Sequence, residues 1–212
     1  MVVRGFFGGT FDPIHDGHTQ ALTALTQCIA VDQWHLLPAA VPPHRAQPAA
    51  SAQHRLAMVD IVCQQHAGWI ADDWELQQQG PSYTANTLQQ RRQQFPQDAL
   101  LFVIGMDSLL SLDSWYNWQQ LTELAHLVVL PRPGYSIRTM SATIEAFVTA
   151  HRCQANDLQR SRHGGVWLAD IPQFDVSATA IRKQLAQRQF ANLPLQAGVI
   201  DYIRQQQLYQ NL

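Results

Sequence analysis

Apolar residues in this chain form short continuous runs, which alternate with longer stretches where they recur every three or four positions. The runs cover residues 1–7, 34–38, 99–105 and 126–131, and each predicts a β-strand. The last two are almost uninterruptedly apolar, as parallel strands covered on both faces are, so we expect them to be neighbours in one sheet.

Weaker patterns complete the alternation of strands and helices. Residues 69–76 predict a more exposed strand, residues 166–169 a last strand, and residues 152–165 a polar loop. Helical spacing or a capping residue predicts helices over residues 18–30, after Ser51, and over residues 84–95, 141–150, 178–187 and 194–207. The fold class is therefore α/β: an open, mostly parallel, doubly wound Rossmann-like sheet with helices on both faces. Residues 1–212 form one domain, in which residues 177–212 are a small C-terminal helical part.

Composition and charge restrict the classes of partner that this chain is expected to bind. The 212 residues are 46% hydrophobic and carry a net charge of −2, which argues against the cationic surface of a nucleic-acid binder and favours small molecules. No apolar run approaches the ~20 residues that span a bilayer, so no membrane partner is expected. Cys28, Cys63 and Cys153 lie far apart without a C-x-x-C pair, which indicates a reducing compartment, and we expect a cytoplasmic protein.

The largest cluster of candidate ligand-binding residues lies between the first strand and the first helix, where the sequence reads GGTFDPIHDGH from Gly8 to His18. Glycines at the end of a strand let backbone N–H groups approach a ligand, and the helix that follows offers its positive N-terminus to an anion. His15 and His18 can face one side and donate to the same polyphosphate. Zinc is an alternative ligand, but it needs a third protein ligand and no H-E-x-x-H occurs. Turn glycines beside two surface histidines are a further alternative.

This stretch resembles the motif of the nucleotidyltransferases that carry a His-x-Gly-His signature, and among them it is most similar to bacterial nicotinate-nucleotide adenylyltransferases. The resemblance implies that the loop and the two histidines hold the phosphates of ATP. The residues assigned to ATP on this basis are Gly8, Gly9, Thr10, Phe11, His15 and His18.

A second segment, VSATAIR over residues 176–182, resembles the I-S-S/A-T-x-I-R segment of the same family, which also binds ATP phosphates. Ser177 can cap a helix there, Thr179 lies in its first turn, and Arg182 can direct a permanent charge toward a phosphate. An ordinary capped helix with an exposed arginine is the alternative. Together the motifs identify His15, His18 and Arg182 as the candidate catalytic residues.

Three further segments resemble the nicotinate-nucleotide branch and predict the acceptor site. They are PPHR with His44 and Arg45, GPSYT with Tyr83 and Thr84, and GMDS with Asp107, followed by Trp115 and Tyr116. Trp115 could stack on a pyridinium ring or simply pack in the core. Asp107 could bond ribose hydroxyls or cap a helix.

The remaining acceptor residues come from the same resemblance. It implies that backbone N–H groups near Thr84 and Tyr116 receive the nicotinate carboxylate, and that His44 and Arg45 lie near the acceptor phosphate. A solvated loop is the alternative for these two. Arg132, in LPRPGY, is similar to the family's A-R-P-G segment and would lie near the crevice, or else form a structural ion pair.

The activity implied is transfer of the adenylyl group of ATP to nicotinate mononucleotide, with Mg²⁺ bound mostly by phosphate and water because no all-protein acidic cage is evident. A phosphopantetheine adenylyltransferase and a non-catalytic nucleotide sensor are the alternatives. A dehydrogenase is disfavoured, because the loop lacks G-x-G-x-x-G and the second strand ends Leu36-Leu37-Pro38 without an acidic residue.

Overall fold

The computed structural model describes residues 1–40, 47–78, 80 and 82–210. Within these residues six parallel strands form one sheet in the order β3-β2-β1-β4-β5-β6. The strands are β1 Val3–Gly9, β2 Gln33–Pro38, β3 Trp69–Ala71, β4 Ala99–Gly105, β5 His126–Leu130 and β6 Val166–Leu168. The expected pairing of β4 with β5 is confirmed, as is the α/β fold class.

Helices connect the strands and close the chain. They are α1 Asp16–Cys28, α2 Ala52–Cys63, α3 Thr84–Gln94, α4 Met106–Leu110, α5 Leu121–Leu124, α6 Ala142–His151, α7 Ala178–Ala186 and α8 Ala197–Gln205. Short 3₁₀ turns lie between several of them. The first helix thus starts two residues earlier than its apolar spacing predicts, since His15 already has the extended backbone of an N-cap.

The predicted strand over residues 69–76 is wrong in its second half. β3 ends at Ala71, and Trp74–Gln77 forms a 3₁₀ turn. The Asp72 carboxylate accepts the Trp74 N–H at 3.2 Å, and such a local bond from an aspartate to the backbone favours a turn over continued strand.

Two apolar cores cover the two faces of the sheet. One contains Leu22 and Leu25 of α1, Val59 and Val62 of α2, Ile181 and Leu185 of α7, and Val199 and Ile203 of α8. The other contains Leu88 of α3, Leu109 of α4, Leu121 of α5 and Ile144 of α6. The last two helices therefore pack on the same face as α1, which lets the end of the chain reach the turn after β1.

The sheet order predicts a crevice at the carboxyl ends of the central strands β1 and β4. β1 and β4 are neighbours, and the helices that follow them pack on opposite faces, so the loops after these strands part. Ligands of open parallel sheets bind at such a point, beyond the carboxyl ends of the strands. In the described part of the chain, no helix has the length and apolar character to cross a bilayer. The three cysteines are free thiols.

Candidate active site

The turn after β1 is shaped by Phe11. Its backbone is left-handed, with φ of 49°, and its ring is buried with an edge-on contact to the imidazole of His18 at 5.1 Å between centroids. A Cβ at position 9 would lie 3.0 Å from the Phe11 ring, so Gly9 is required by close approach. Because the Phe11 ring is in the core, the turn offers its backbone rather than this side chain to a ligand.

His15 and His18 form a stacked pair at the start of α1. Their ring centroids are 3.7 Å apart, and the His15 backbone N–H donates to Nδ1 of His18 at 3.2 Å. Since Nδ1 of His18 accepts, the proton of its neutral ring lies on Nε2, which is then a donor. Nδ1 of His15 is buried and has no hydrogen-bond partner among the described residues.

Burial controls the charge of this pair. It lowers the pKa of His15 to about 4, with a further contribution from the positive charge of Arg132. Burial also holds the pKa of His18 well below its usual range, and His15 and Arg132 act in the same direction. Both imidazoles are therefore neutral at pH 7 in the free protein, and guanidinium groups supply the positive charge of the site.

The N-terminus of α7 lies against the N-terminus of α1. A Cβ at Gly17 would be 3.0 Å from Cβ of Val176, the residue before the cap of α7. The Ser177 side chain caps that helix by accepting the Ala180 N–H at 3.4 Å. The first turns of the two helices thus lie side by side, and helix N-termini favour anions.

Arg182 connects α7 to the turn after β1. Its Nη1 donates to the backbone carbonyl of Asp12 at 2.8 Å, and its Nη2 donates to the Thr179 hydroxyl at 3.4 Å. The guanidinium is only partly buried. The structure therefore brings together the ATP residues predicted from the two ends of the sequence, on the same side of the sheet.

The loops after β4 and β5 meet through an ion pair. Nη1 of Arg132 donates to Oδ2 of Asp107 at 2.7 Å, which confirms the ion-pair alternative for Arg132. Asp107 lies in the first turn of α4, whose N-cap is Gly105, so it does not cap that helix. Its Oδ1 is buried with no partner in the described chain. About half of the Arg132 side chain stays exposed, and its positive charge helps to lower the pKa of His15 and of His18.

The aromatic residues predicted for the acceptor meet at the start of α3. Tyr83 is the N-cap of α3, and its ring lies 4.9 Å from that of Tyr116, which is 52% exposed. Thr84 is the first residue of the helix. Trp115 is partly buried and packs against the core of the α3 face, so its stacking on a pyridinium ring stays a prediction.

Two predicted residues lie outside the described part of the chain: His44 and Arg45. The loop to which they belong is described on either side. The Ala39 N–H donates to the Gly9 carbonyl at 2.9 Å, and the Ala40 N–H donates to the Ser82 hydroxyl at 3.1 Å.

Sequence reasoning missed a buried polar cluster under the turn. Asp12 is 5% exposed and bonds the hydroxyl of Tyr209 at 2.8 Å, and Arg55 donates to the carbonyl of Thr10 at 2.7 Å. Asp12 belongs to the motif, and an arginine inside the apolar pattern of α2 is a signal that could have identified Arg55. Nothing in the local sequence connects Tyr209 to position 12. In the described residues, no three His, Cys, Asp or Glu side chains lie together as metal ligands.

Comparison with known proteins agrees with this geometry. Residues 6–184 match the cytidylyltransferase-like family model. The chain is 49% identical to a probable nicotinate-nucleotide adenylyltransferase of Idiomarina loihiensis, over 98% of this chain and 100% of that protein. It is 42% identical to a protein of the same name from Aeromonas salmonicida, over 97% and 96% of the two chains. The nicotinic acid mononucleotide adenylyltransferase of Plasmodium falciparum complexed with NaAD has a similar fold, with a TM-score of 0.74 at 18% identity over 99% and 98% of the chains.

Proposed function

Because this chain belongs to the cytidylyltransferase-like family and, within it, to the nicotinate-nucleotide adenylyltransferases, we propose that its pocket joins ATP to nicotinate mononucleotide. The products are nicotinate adenine dinucleotide and pyrophosphate. The observation that supports this proposal best is the bond of Arg182 to Asp12, because it brings the cation of the distant motif to the histidine turn. A pocket for one polyphosphate is thereby supplied from both ends of the sequence.

In this proposal the triphosphate lies over the N-termini of α1 and α7. The backbone of residues 8–11, Nε2 of His18 and the guanidinium of Arg182 donate to it, and His15, Ser177 and Thr179 lie at the same opening. Neutral imidazoles suit the role, because each can donate one hydrogen bond and can take up a proton as negative charge develops.

The acceptor lies toward the loops after β2, β4 and β5. Tyr83, Thr84, Trp115 and Tyr116 surround its pyridine ring and carboxylate, with main-chain N–H groups as the donors. Asp107, paired with Arg132, bonds the ribose hydroxyls. His44 and Arg45 hold the phosphate. A site built from donors for a carboxylate favours the acid over the neutral amide, since unmatched buried donors are costly.

The reaction needs no general base. The phosphate oxygen of the acceptor is already anionic at neutral pH, and it attacks the α-phosphorus of ATP. A new P–O bond forms while the bond to the β-phosphate oxygen breaks, and its electron pair leaves with pyrophosphate. Alignment of the two substrates and stabilisation of the departing charge are then the main contributions of the protein.

We also propose that Mg²⁺ accompanies ATP. The described residues offer no cluster of acidic ligands, so the ion would be held chiefly by phosphate oxygens and water, and it would supply further charge neutralisation. The three free thiols and the use of ATP support a cytoplasmic location, which cell fractionation would test.

The test is a panel of acceptors. The protein is supplied with ATP and, in turn, with nicotinate mononucleotide, nicotinamide mononucleotide and phosphopantetheine, with Mg²⁺ present or chelated, and pyrophosphate release is measured. We expect turnover with the nicotinate nucleotide at least about tenfold above the amide, and loss of turnover on chelation. Preference for phosphopantetheine would assign a different acceptor, and binding without pyrophosphate release would identify a sensor.

A further inference from the structure

The carboxylate of Asp12 has more partners than a turn requires. Oδ2 accepts the backbone N–H of Ala49 at 2.8 Å, and Oδ1 accepts the N–H of Ala50 at 3.0 Å. Oδ1 also accepts the hydroxyl of Tyr209 at 2.8 Å. The guanidinium of Arg55 contributes a buried positive charge nearby. Three protein donors thus fix the orientation of this carboxylate, two of them on Oδ1 and one on Oδ2.

The guanidinium of Arg182 lies near this carboxylate without forming a hydrogen bond to it. Nη1 of Arg182 is 3.8 Å from Oδ2 of Asp12, whereas it donates to the carbonyl oxygen of the same residue at 2.8 Å. An arginine that pairs fully with a carboxylate makes bonds of about 2.7–2.9 Å, often two in parallel. The Asp12 side chain therefore attracts Arg182 without engaging it, and the guanidinium keeps N–H groups for another anion.

The hydroxyl of Tyr209 anchors Oδ1, the other oxygen of this carboxylate, and so fixes the orientation that keeps Oδ2 at 3.8 Å from Nη1 of Arg182. Tyr209 is 6% exposed, and burial together with Asp12 raises the pKa of its hydroxyl, so the group remains a donor at all working pH values. The residue is 197 positions from Asp12 in the sequence, beyond the end of α8. Its bond thus joins the C-terminal region to the turn after β1.

We propose that Tyr209 is a positioning residue for ATP: by holding the Asp12 carboxylate, it keeps that carboxylate from pairing with Arg182. The inference rests on the proposed function in one respect, namely that Arg182 donates to the triphosphate. Without the hydroxyl, Asp12 closes on Arg182, and ATP must compete with a carboxylate for the same guanidinium. The loss falls on ATP and leaves the acceptor site unchanged.

The chain offers a control in a second tyrosine. Tyr202, on α8, also makes one side-chain hydrogen bond through its hydroxyl, to Nδ1 of His54 at 2.9 Å, and its ring lies edge-on to the same imidazole at 5.8 Å between centroids. Tyr209→Phe and Tyr202→Phe each remove one such bond from the C-terminal region. The bond of Tyr209 to a buried carboxylate is the stronger of the two, so the melting temperature of Tyr209→Phe is expected to fall further, and the two folded variants are compared through their ATP parameters.

The decisive measurements are steady-state kinetics and titration of ATP. We expect Tyr209→Phe to raise the KM for ATP about tenfold, with kcat and the KM for the acceptor within about twofold of wild type, and Tyr202→Phe to change none of them. In an Arg182→Gln background, Tyr209→Phe should have no further effect on ATP, because the competition it releases no longer exists.

Each other outcome contradicts one specific claim. The positioning role is overturned if Tyr209→Phe binds ATP as tightly as wild type, or if it raises the KM for ATP and the KM for the acceptor equally. It is also overturned if Tyr209→Phe weakens ATP binding as much in the Arg182→Gln background as in wild type. Titration in the cold keeps the comparison valid if Tyr209→Phe melts near the assay temperature. If wild type itself binds no ATP, it is the proposed function that fails.

Discussion

The two histidines of the turn show how one neighbour changes the chemistry of another. Burial leaves both of these stacked rings neutral, and the positive charge of Arg132 opposes protonation of either. A bound triphosphate opposes this balance, because negative charge beside the rings favours the imidazolium. Nucleotide binding and proton uptake are therefore coupled at this pair.

We predict that ATP binding takes up protons through His15. Its pKa is about 4 in the free protein and rises in the complex, so near pH 6 the complex binds a fraction of a proton that the free protein does not, and affinity increases as pH falls. Calorimetric titration in two buffers of different ionisation enthalpy measures this uptake. His15→Asn keeps a good N-cap and should take up fewer protons on binding ATP. Protons exchanged by ATP itself are the same for wild type and variant, so they cancel when the two proteins are compared. Equal uptake in both proteins would contradict the coupling.

At the scale of elements, the N-termini of α1 and α7 depend on a small contact surface. Gly17 has no side chain, and the space where its Cβ would lie is bounded by Cβ of Val176 at 3.0 Å and by the His15 ring at 3.2 Å. An added Cβ here would force Val176 or the His15 ring to shift by a few tenths of an ångström, so glycine favours the close approach of the first turn of α1 to α7.

Gly17→Ala is therefore predicted to weaken ATP binding although alanine is the better helix former. The added methyl group must displace Val176 or His15, which separates the two helix ends, and we expect the KM for ATP to rise several-fold. Gly198→Ala is the control, because its Cβ meets Cγ2 of Ile61 at 2.9 Å, away from the site. That variant should change thermal stability alone. An unchanged KM for ATP in a folded Gly17→Ala protein would show that the helix ends tolerate separation.

Elements also show what the sequence could and could not predict. Apolar runs predicted β4 and β5 and their pairing because both are covered on two faces and leave an unbroken signal. The same reasoning extended the third strand past Ala71, since a side chain bonded to its own backbone overrides the pattern. The motif predicted His15 and His18, whereas the bond between Asp12 and Tyr209 joins positions that only tertiary structure brings together.

For the whole molecule, the neutral buried histidines determine how stability responds to acid. His15, His18 and His126 all have lowered pKa values in the folded state, chiefly because they are buried. His126 is additionally fixed in β5 by the Ser161 carbonyl, at 2.9 Å from Nε2, and by the Gly165 N–H, at 2.9 Å from Nδ1. Below pH 6.5 the unfolded chain binds protons that the folded chain cannot.

The free energy of unfolding is accordingly predicted to fall as pH decreases from 7 to 5. Since the folded pKa of His15 is about 4, this residue alone contributes a loss of about 2 kcal/mol at pH 5. Urea unfolding at both pH values measures the change. His15→Asn should lose about that much less than wild type over the same interval, and identical losses would mean that His15 is not held neutral.

The position of α7 and of Tyr209 has a consequence for synthesis. Arg182 and Tyr209 both bond Asp12, which is translated 170 residues before the one and 197 residues before the other. While these late residues are still within the ribosome, the nascent polypeptide lacks these bonds to Asp12. A product that terminates before α7 contains the glycine and histidine turn but cannot supply the arginine that completes the proposed nucleotide pocket.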